Sequence, residues 1–257
     1  MTQHACDAVI SCVASRSGAP DDARAIDLGL NSAALRAAIQ AGVTQFVLLS
    51  AICVQKPKLA FQHAKLAFEA ELQSAPVSWS IVRPTAYFKS LSGQLNRLRA
   101  GKSFLLFGDG ALTSCKPISN DDIARYLVGC LVDPTLANRI LPIGGPGPAI
   151  TPHAQGEMLF HALGRTPRFK HVPVAMMSAI VGGLTILGQV SSRLRDKAEL
   201  ARIGRYYATE SMLVWDRDRS RYDPAATPEF GTETLAEHYA RLVRENHADD
   251  RGAHAVF

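Results

Sequence analysis

The chain has 257 residues, 47% of them apolar and 20% charged, a composition that excludes disordered, collagenous and repeat architectures and leaves one large domain or one domain plus a cap. Its net charge of +5 comes from scattered basic residues, with a modest cluster at Arg193, Arg195, Lys197, Arg202 and Arg205; no basic run is interleaved with aromatics, so no nucleic-acid partner is expected. The odd count and wide spacing of the five cysteines argue against a disulfide framework, and the lack of a C-x-x-C pair argues against a zinc or iron–sulfur site, so reduced thiols in a cytoplasm and no metal are expected.

Met1–Cys6 has no basic region followed by an apolar stretch, so no signal peptide is expected. Asp7–Ala14 (DAVISCVA) is a short Val/Ile-rich run of the kind buried on both faces of a parallel sheet. Apolar residues recur at helical spacing from Asp21 to Gln40, and Gly42 stops that helix. Gln45–Ala51 predicts a second buried strand, Pro57–Gln73 a helix with Phe61, Lys65 and Phe68 near one face, and Ser78–Arg83 a third strand ended by Pro84. Alternating strands and helices predict a parallel, helix-covered, doubly wound α/β sheet. Beyond it come a brief strand at Phe104–Phe107, a turn at Gly108-Asp109-Gly110, a helix over Ser119–Leu131 capped by its first residues, and a strand at Ile140–Ile143. Thr151-Pro152 opens another helix, and the remainder reads as mostly helical. It includes Val172–Val190, a charged stretch from about Arg193, and an amphipathic helix over Glu233–Arg244; the polar tail follows His247. Val172–Val190 touches the lower length limit of a membrane span, but its Pro, Ser, Gly, Thr and Gln residues favour a buried or surface-docking helix.

A dinucleotide fold opens with a strand, a glycine-rich turn and a helix whose N-terminus meets the pyrophosphate. The glycine clusters here, Gly108–Gly110 and Gly144–Gly147, follow weak strands and open no βαβ unit, so they read as turns.

The segments SCVASRSG (Ser11–Gly18), FVLLSAICVQKP (Phe46–Pro57), FQHAKLAFEAEL (Phe61–Leu72), SIVRPTAYFKSLSGQ (Ser80–Gln94), CKPIS (Cys115–Ser119), LPIGGPG (Leu141–Gly147) and GRYYATESM (Gly204–Met212) together resemble the NADPH-dependent divinyl chlorophyllide 8-vinyl reductases, which are atypical short-chain dehydrogenases. The resemblance covers essentially the whole chain. It implies a Rossmann-like NAD(P)-binding domain over 1–145 that is N-terminally incomplete, and a mainly helical substrate cap over 146–257. Members of that family carry a further unit with the glycine-rich turn ahead of Asp7. Met1 is therefore expected to be an internal start, and the 257-residue chain alone to bind NADPH weakly. The implied reaction is reduction of the 8-vinyl group of divinyl chlorophyllide or protochlorophyllide. The protein would lie in the cytoplasm, in peripheral contact with a photosynthetic membrane. Another NADPH-dependent reductase of the superfamily, a non-catalytic NADP-sensing regulator and an inactive remnant are the alternatives.

The resemblance also implies a site. Short-chain dehydrogenases carry Tyr-x-x-x-Lys on one helical face, and the Lys binds the nicotinamide ribose. Here the pattern reads Phe61 to Lys65: the Lys stays and the phenol is gone, which suits a C=C bond better than a ketone. Lys65 is the expected catalytic residue, with a surface lysine as the plain alternative. Ser11, Cys12, Ala14 and Arg16 would border the cofactor's ribose and phosphates. Ser50 and Arg83-Pro84-Thr85 close their strands at the same carboxyl edge, where this fold places ligand contacts. Tyr87, Phe88, Tyr206 and Tyr207 would line the substrate pocket, and Lys116 and Arg205 would meet the substrate carboxylate. Tyr87, His63, Tyr206, Tyr207 and a water are the open candidates for proton donor.

Overall fold

The computed structural model describes residues 6–189 and 191–248. Strand β1 (Ala8–Ser11) is followed by a continuous helical run over 20–40, here α1, made of Pro20–Asp22, a π-helical stretch Ala23–Leu30 and Asn31–Gln40. Strand β2 (Gln45–Leu49), helix α2 (Ala60–Gln73) and strand β3 (Ser78–Pro84) follow. After short helical turns come β4 (Phe104–Phe107), α3 (Asn120–Val132) and β5 (Arg139–Ile143). The rest comprises α4 (Pro152–Ala162), β6 (Phe169–Val172), α5 (Val174–Leu187), α6 (Ser192–Thr209), the strands β7 (Val214–Asp216) and β8 (Arg221–Asp223), and α7 (Leu235–Arg244).

The main sheet is parallel throughout, in the order β1-β2-β3-β5. Its strands are apolar because both faces are covered. Pleating turns Phe46, Leu48 and Ile81 to one face, where they meet Leu35 and Ala38 of α1 and Phe68 and Leu72 of α2. Val47, Val82 and Leu141 face the other side and meet Ile123, Leu127 and Cys130 of α3. This is a three-layer, Rossmann-like α/β fold.

A second core joins Phe88, Leu95, Leu98 and Phe104 to Leu159 and Phe160 of α4 and to Tyr239 and Leu242 of α7. The segment after β3 thus packs with the C-terminal helices. The tightest crossing lies beyond β5. Gly144 and Gly145 run against the backbone of 116–118, with Gly145 N–H donating to Lys116 O (3.2 Å) and Gly144 N–H to Pro228 O (2.8 Å).

Two expectations need correction, and the mainly helical C-terminal part also carries strands that were not expected: β6 pairs parallel with β4, and β7–β8 form an antiparallel hairpin. Trp215 and Tyr222 favour strand there, and the Asp216 carboxylate accepts the Asp218 and Arg219 N–H groups to close the turn. The helix expected from Pro57 begins at Ala60, because the Gln62 side chain accepts the Lys58 and Leu59 N–H groups (2.7 and 3.0 Å) and holds 58–59 outside it. The apolar segment from Val172 splits into a strand end and a 14-residue helix, and among the described residues no helix is long and apolar enough to cross a membrane. The tail beyond residue 248 lies outside the described residues.

Candidate cofactor site at the carboxyl edge of the sheet

Because β1, β2 and β3 are parallel, their carboxyl ends bring together three loops, 12–19, 50–59 and 85–87. Helix α6 lies over them, with Ile203 and Tyr206 packed on Ile52, Cys53 and Leu59. Gly18 fits beneath it with φ +67°, and a Cβ there would stand 2.9 Å from the Ile203 Cδ1 atom.

Lys65 is the centre of this edge. Its ammonium lies 2.9 Å from Asp27 Oδ1, with the lysine side chain 11% exposed and the aspartate fully buried. The π-helical stretch in α1 carries Asp27, and Asp27 Oδ1 also accepts the Ser15 N–H (3.3 Å). Asp27 Oδ2 is buried with no hydrogen-bond partner. Ser11 donates to Asn31 Oδ1 (2.6 Å), and Asn31 Nδ2 donates in turn to the carbonyls of Val13, Ile26 and Asp27. These bonds fix the loop after β1 onto α1. Cys12, Ala14 and Arg16 are exposed on that loop, and no hydrogen bond or ion pair holds the Arg16 guanidinium among the described residues.

Ser50 and Arg83 turn toward α2 and not into the edge. Ser50 Oγ donates to the buried Glu69 carboxylate at 2.5 Å, and Arg83 grips both oxygens of the same carboxylate. Pro84 and Thr85 are buried; Thr85 is bonded to the Lys116 and Ile143 carbonyls. Phe88 is 2% exposed inside the second core, so its ring faces away from any cleft. Lys116 is buried and paired with Glu229 at 2.5 Å, which commits the cation expected to meet a substrate carboxylate. Arg205 is half-buried, and its guanidinium has no partner among the described residues.

The Cys53 thiol feels the charge of Lys65, and Tyr206 and Tyr207 both reach Cys53. Burial raises the Tyr87 phenol well above its ordinary range, and the neighbouring Cys12 raises it further. Burial likewise raises the Cys53 thiol, against hydrogen bonds from Gln62 and Tyr207 and the charge of Lys65. Tyr207 presents its hydroxyl to Cys53 Sγ at 3.9 Å while 39% of the residue stays exposed. Burial first, and then Cys53 and its other neighbours, keep that phenol protonated far above neutral pH. Tyr206 spends its proton on the carbonyls of Cys53 (2.9 Å) and Lys56 (3.2 Å). His63 is exposed on the outer side of α2.

Sequence reasoning missed Asp27, Asn31, Glu69 and Glu210. The signal for Glu69 was present: Gln62, Lys65 and Glu69 form a polar row at i, i+3 and i+7 on a helix whose neighbouring face is core. Glu210 clamps the loop after β2 to the hairpin, accepting from Lys56 (2.7 Å), Lys58 and Tyr222 (2.6 Å), while Lys56 sits 3.9 Å over the Trp215 ring. Burial raises the Glu210 carboxyl, but these bonds outweigh it and hold its pKa at about 2, below the ordinary 4.5. The clamp's stabilisation is therefore complete above about pH 4.5 and drains away as the pH falls toward about 2. Trp215 fluorescence, read in a Trp79→Phe background, should report a transition in that window that Glu210→Gln abolishes; an unchanged profile in the Gln variant would refute the clamp.

The edge suits a nicotinamide dinucleotide on its donor set. Lys65 retains N–H donors beyond the one given to Asp27, Asp27 Oδ2 is an unused acceptor for a hydroxyl, and Arg16 is free for a phosphate. Surface cavities of about 500 and 310 Å³ lie among Asp121, Arg125, Glu233 and Arg241 and at the amino ends of β2 and β3, and no residue of this edge lines either.

Residues 3–134 match the family described as NAD(P)H-binding. The chain is 47% identical over 256 residues to the chloroplastic divinyl chlorophyllide a 8-vinyl-reductase of Oryza sativa subsp. indica, covering 97% of this chain and 63% of the relative. It is 46% identical over 248 residues to the protein of the same name from Arabidopsis thaliana, covering 94% of this chain and 60% of that one. The chain thus spans about three fifths of the length of these relatives. Among solved structures it resembles a UDP-glucose 4-epimerase from Thermotoga maritima (TM-score 0.62, 15% identity, 94% of this chain and 77% of that one). It also resembles an NADPH-dependent quinone oxidoreductase from Escherichia coli (TM-score 0.55, 15% identity, 81% and 69%). Both likenesses show the fold.

Proposed function

Because the chain belongs to the NAD(P)H-binding family, we propose that it serves a reductase that uses NADPH to convert the 8-vinyl group of divinyl chlorophyllide, or of its protochlorophyllide precursor, to ethyl. The observation that carries this reading is the 47% identity to the rice reductase along 97% of the chain. When bound, the reduced nicotinamide supplies the hydride for the C=C bond. Lys65 holds the ribose hydroxyls from a position fixed by Asp27, and Arg16 neutralises a phosphate. Phe61 stands where a carbonyl reductase of this fold carries its phenol, so a side-chain acid aimed at a carbonyl oxygen is missing from α2 and a conjugated C=C substrate fits better. Arg205 meets the substrate's carboxylate, and the exposed Tyr207 ring offers a flat apolar surface to the macrocycle. Tyr207, Tyr87 or a water delivers the proton, since the Tyr206 hydroxyl is committed to two carbonyls. The reaction would run beside a photosynthetic membrane.

The test is an assay with NADPH and divinyl chlorophyllide, followed by the absorption shift on loss of the 8-vinyl group, run on the longest product of the reading frame that contains these 257 residues. Turnover is expected. NADPH binding without turnover on any divinyl tetrapyrrole would move the assignment to another reductase of the superfamily or to a sensor.

A further inference from the structure

Helix α5 is built inside out. Met176, Ile180, Ile186 and Leu187 are 50, 50, 69 and 52% exposed, and of the helix's residues only Val181 is fully buried. Met176, Ile180, Gly183 and Leu187 recur at i, i+4, i+7 and i+11, with Ile186 along the flank, so they form one continuous apolar stripe. The polar residues turn away from water instead. Ser178 Oγ donates to the Val174 carbonyl, and Thr185 Oγ1 donates to the Val181 carbonyl while accepting from Arg202 of α6. A solvent-facing helix with this polarity is the reverse of what solubility selects, and it marks a surface that something covers.

The ends of the helix are basic. Arg168 and Lys170 are exposed just before it, and Arg195 and Lys197 just after it; against them stand the exposed Asp196 and Asp21, the latter 3.4 Å from Arg195. Fourteen residues make a helix about 21 Å long, too short for the roughly 30 Å hydrocarbon core, so it can lie in a membrane surface but not cross it. A stripe of that length and about 10 Å wide offers on the order of 200 Å², well short of the roughly 800 Å² per partner of a stable dimer. A second copy of a chain with net charge +5 would also bring like charge to a basic rim.

We propose that α5 is an interfacial docking helix that seats its Met176–Leu187 stripe in an anionic lipid surface, with Lys170 and Lys197 on the headgroups. This does not depend on the identity of the tetrapyrrole. The test is co-sedimentation of the full chain with vesicles of phosphatidylcholine alone and of equal parts phosphatidylcholine and phosphatidylglycerol, at low and high salt. Wild type binds the anionic vesicles, and salt weakens the binding. Ile180→Asn/Ile186→Asn lowers the partition coefficient at least about tenfold with an unchanged melting temperature, because both side chains are exposed. Lys170→Glu/Lys197→Glu lowers it too and removes the preference for phosphatidylglycerol. Equal binding by the Asn variant, or no binding by wild type to either vesicle, overturns the proposal. So does a concentration-dependent dimer that the Asn variant dissolves, which would make the stripe a self-interface.

Discussion

Lys65→Met is expected to destabilise the fold by about 3–5 kcal/mol, because it leaves the fully buried Asp27 carboxylate without its cation. The loss belongs to the uncompensated charge and not to the lysine's packing. The double variant Asp27→Asn/Lys65→Met removes both charges and keeps an acceptor for the Ser15 N–H, so it should recover all but about 1–2 kcal/mol. Urea unfolding of the two single variants and the double closes the cycle. Near-additive losses would mean that the 2.9 Å contact is not a coupled pair. The same double variant separates fold from function. If Lys65 holds the nicotinamide ribose, the refolded double variant still loses at least about a hundredfold in kcat/KM. A stable double variant with normal turnover would reduce Lys65 to a structural residue.

Gly145→Ala should be more damaging still. A Cβ at this position would lie 1.9 Å from the Pro117 carbonyl oxygen and 2.9 Å from its carbon. Those atoms are backbone, so no rotamer change can clear the overlap, and the two segments must part by more than 1 Å. The separation strains the Gly145 N–H bond to Lys116 O and its neighbours, from Gly144 N–H to Pro228 O and from Phe230 N–H to Gly144 O. We expect a loss of at least about 4 kcal/mol, seen as a fall in the denaturation midpoint or as failure to accumulate as soluble protein. Gly147→Ala is the contrast. That residue has φ +92° but open space around it, so its cost should be confined to backbone strain of about 1–2 kcal/mol. Equal behaviour of the two variants would contradict the close approach at Gly145.

The sheet was legible because its four strands are short Val/Ile/Leu runs bounded by turn residues, and its helices carry ordinary apolar periodicity. Ser119 and Thr151 were legible as caps, and each accepts the N–H three residues on. The hairpin was not, since three-residue strands leave almost no periodic signal and depend on Gln55 and Glu210 reaching them from elsewhere. The site divides in the same way. Lys65 falls on a helix, and Cys12 and Arg16 on the loop that directly follows the first strand, positions that local pattern decides. Arg83, Ser50 and Lys116 sit where expected along the chain, yet their side chains are claimed by Glu69 and Glu229. Tyr87 and Phe88 are neighbours in sequence, but the start of a helical turn sends one toward the edge of the sheet and the other into the second core. Pairings of this kind join distant parts of the chain, and no spacing rule within one segment contains them.

The wide turn in α1 has an evolutionary corollary. A π-helical stretch holds one residue more per loop of hydrogen bonds than an α-helix does, and each residue turns the chain by about 100°. Gly29, whose missing side chain lets the Arg24 carbonyl approach to 3.3 Å of where a Cβ would stand, accommodates it. In a homologue that has lost a single residue between 23 and 30, the helix would close into a regular coil and the counterpart of Asp27 would swing about a quarter-turn off the lysine. A one-position gap at this point in an alignment would then mark the branch on which the aspartate–lysine pairing was lost or had not yet arisen.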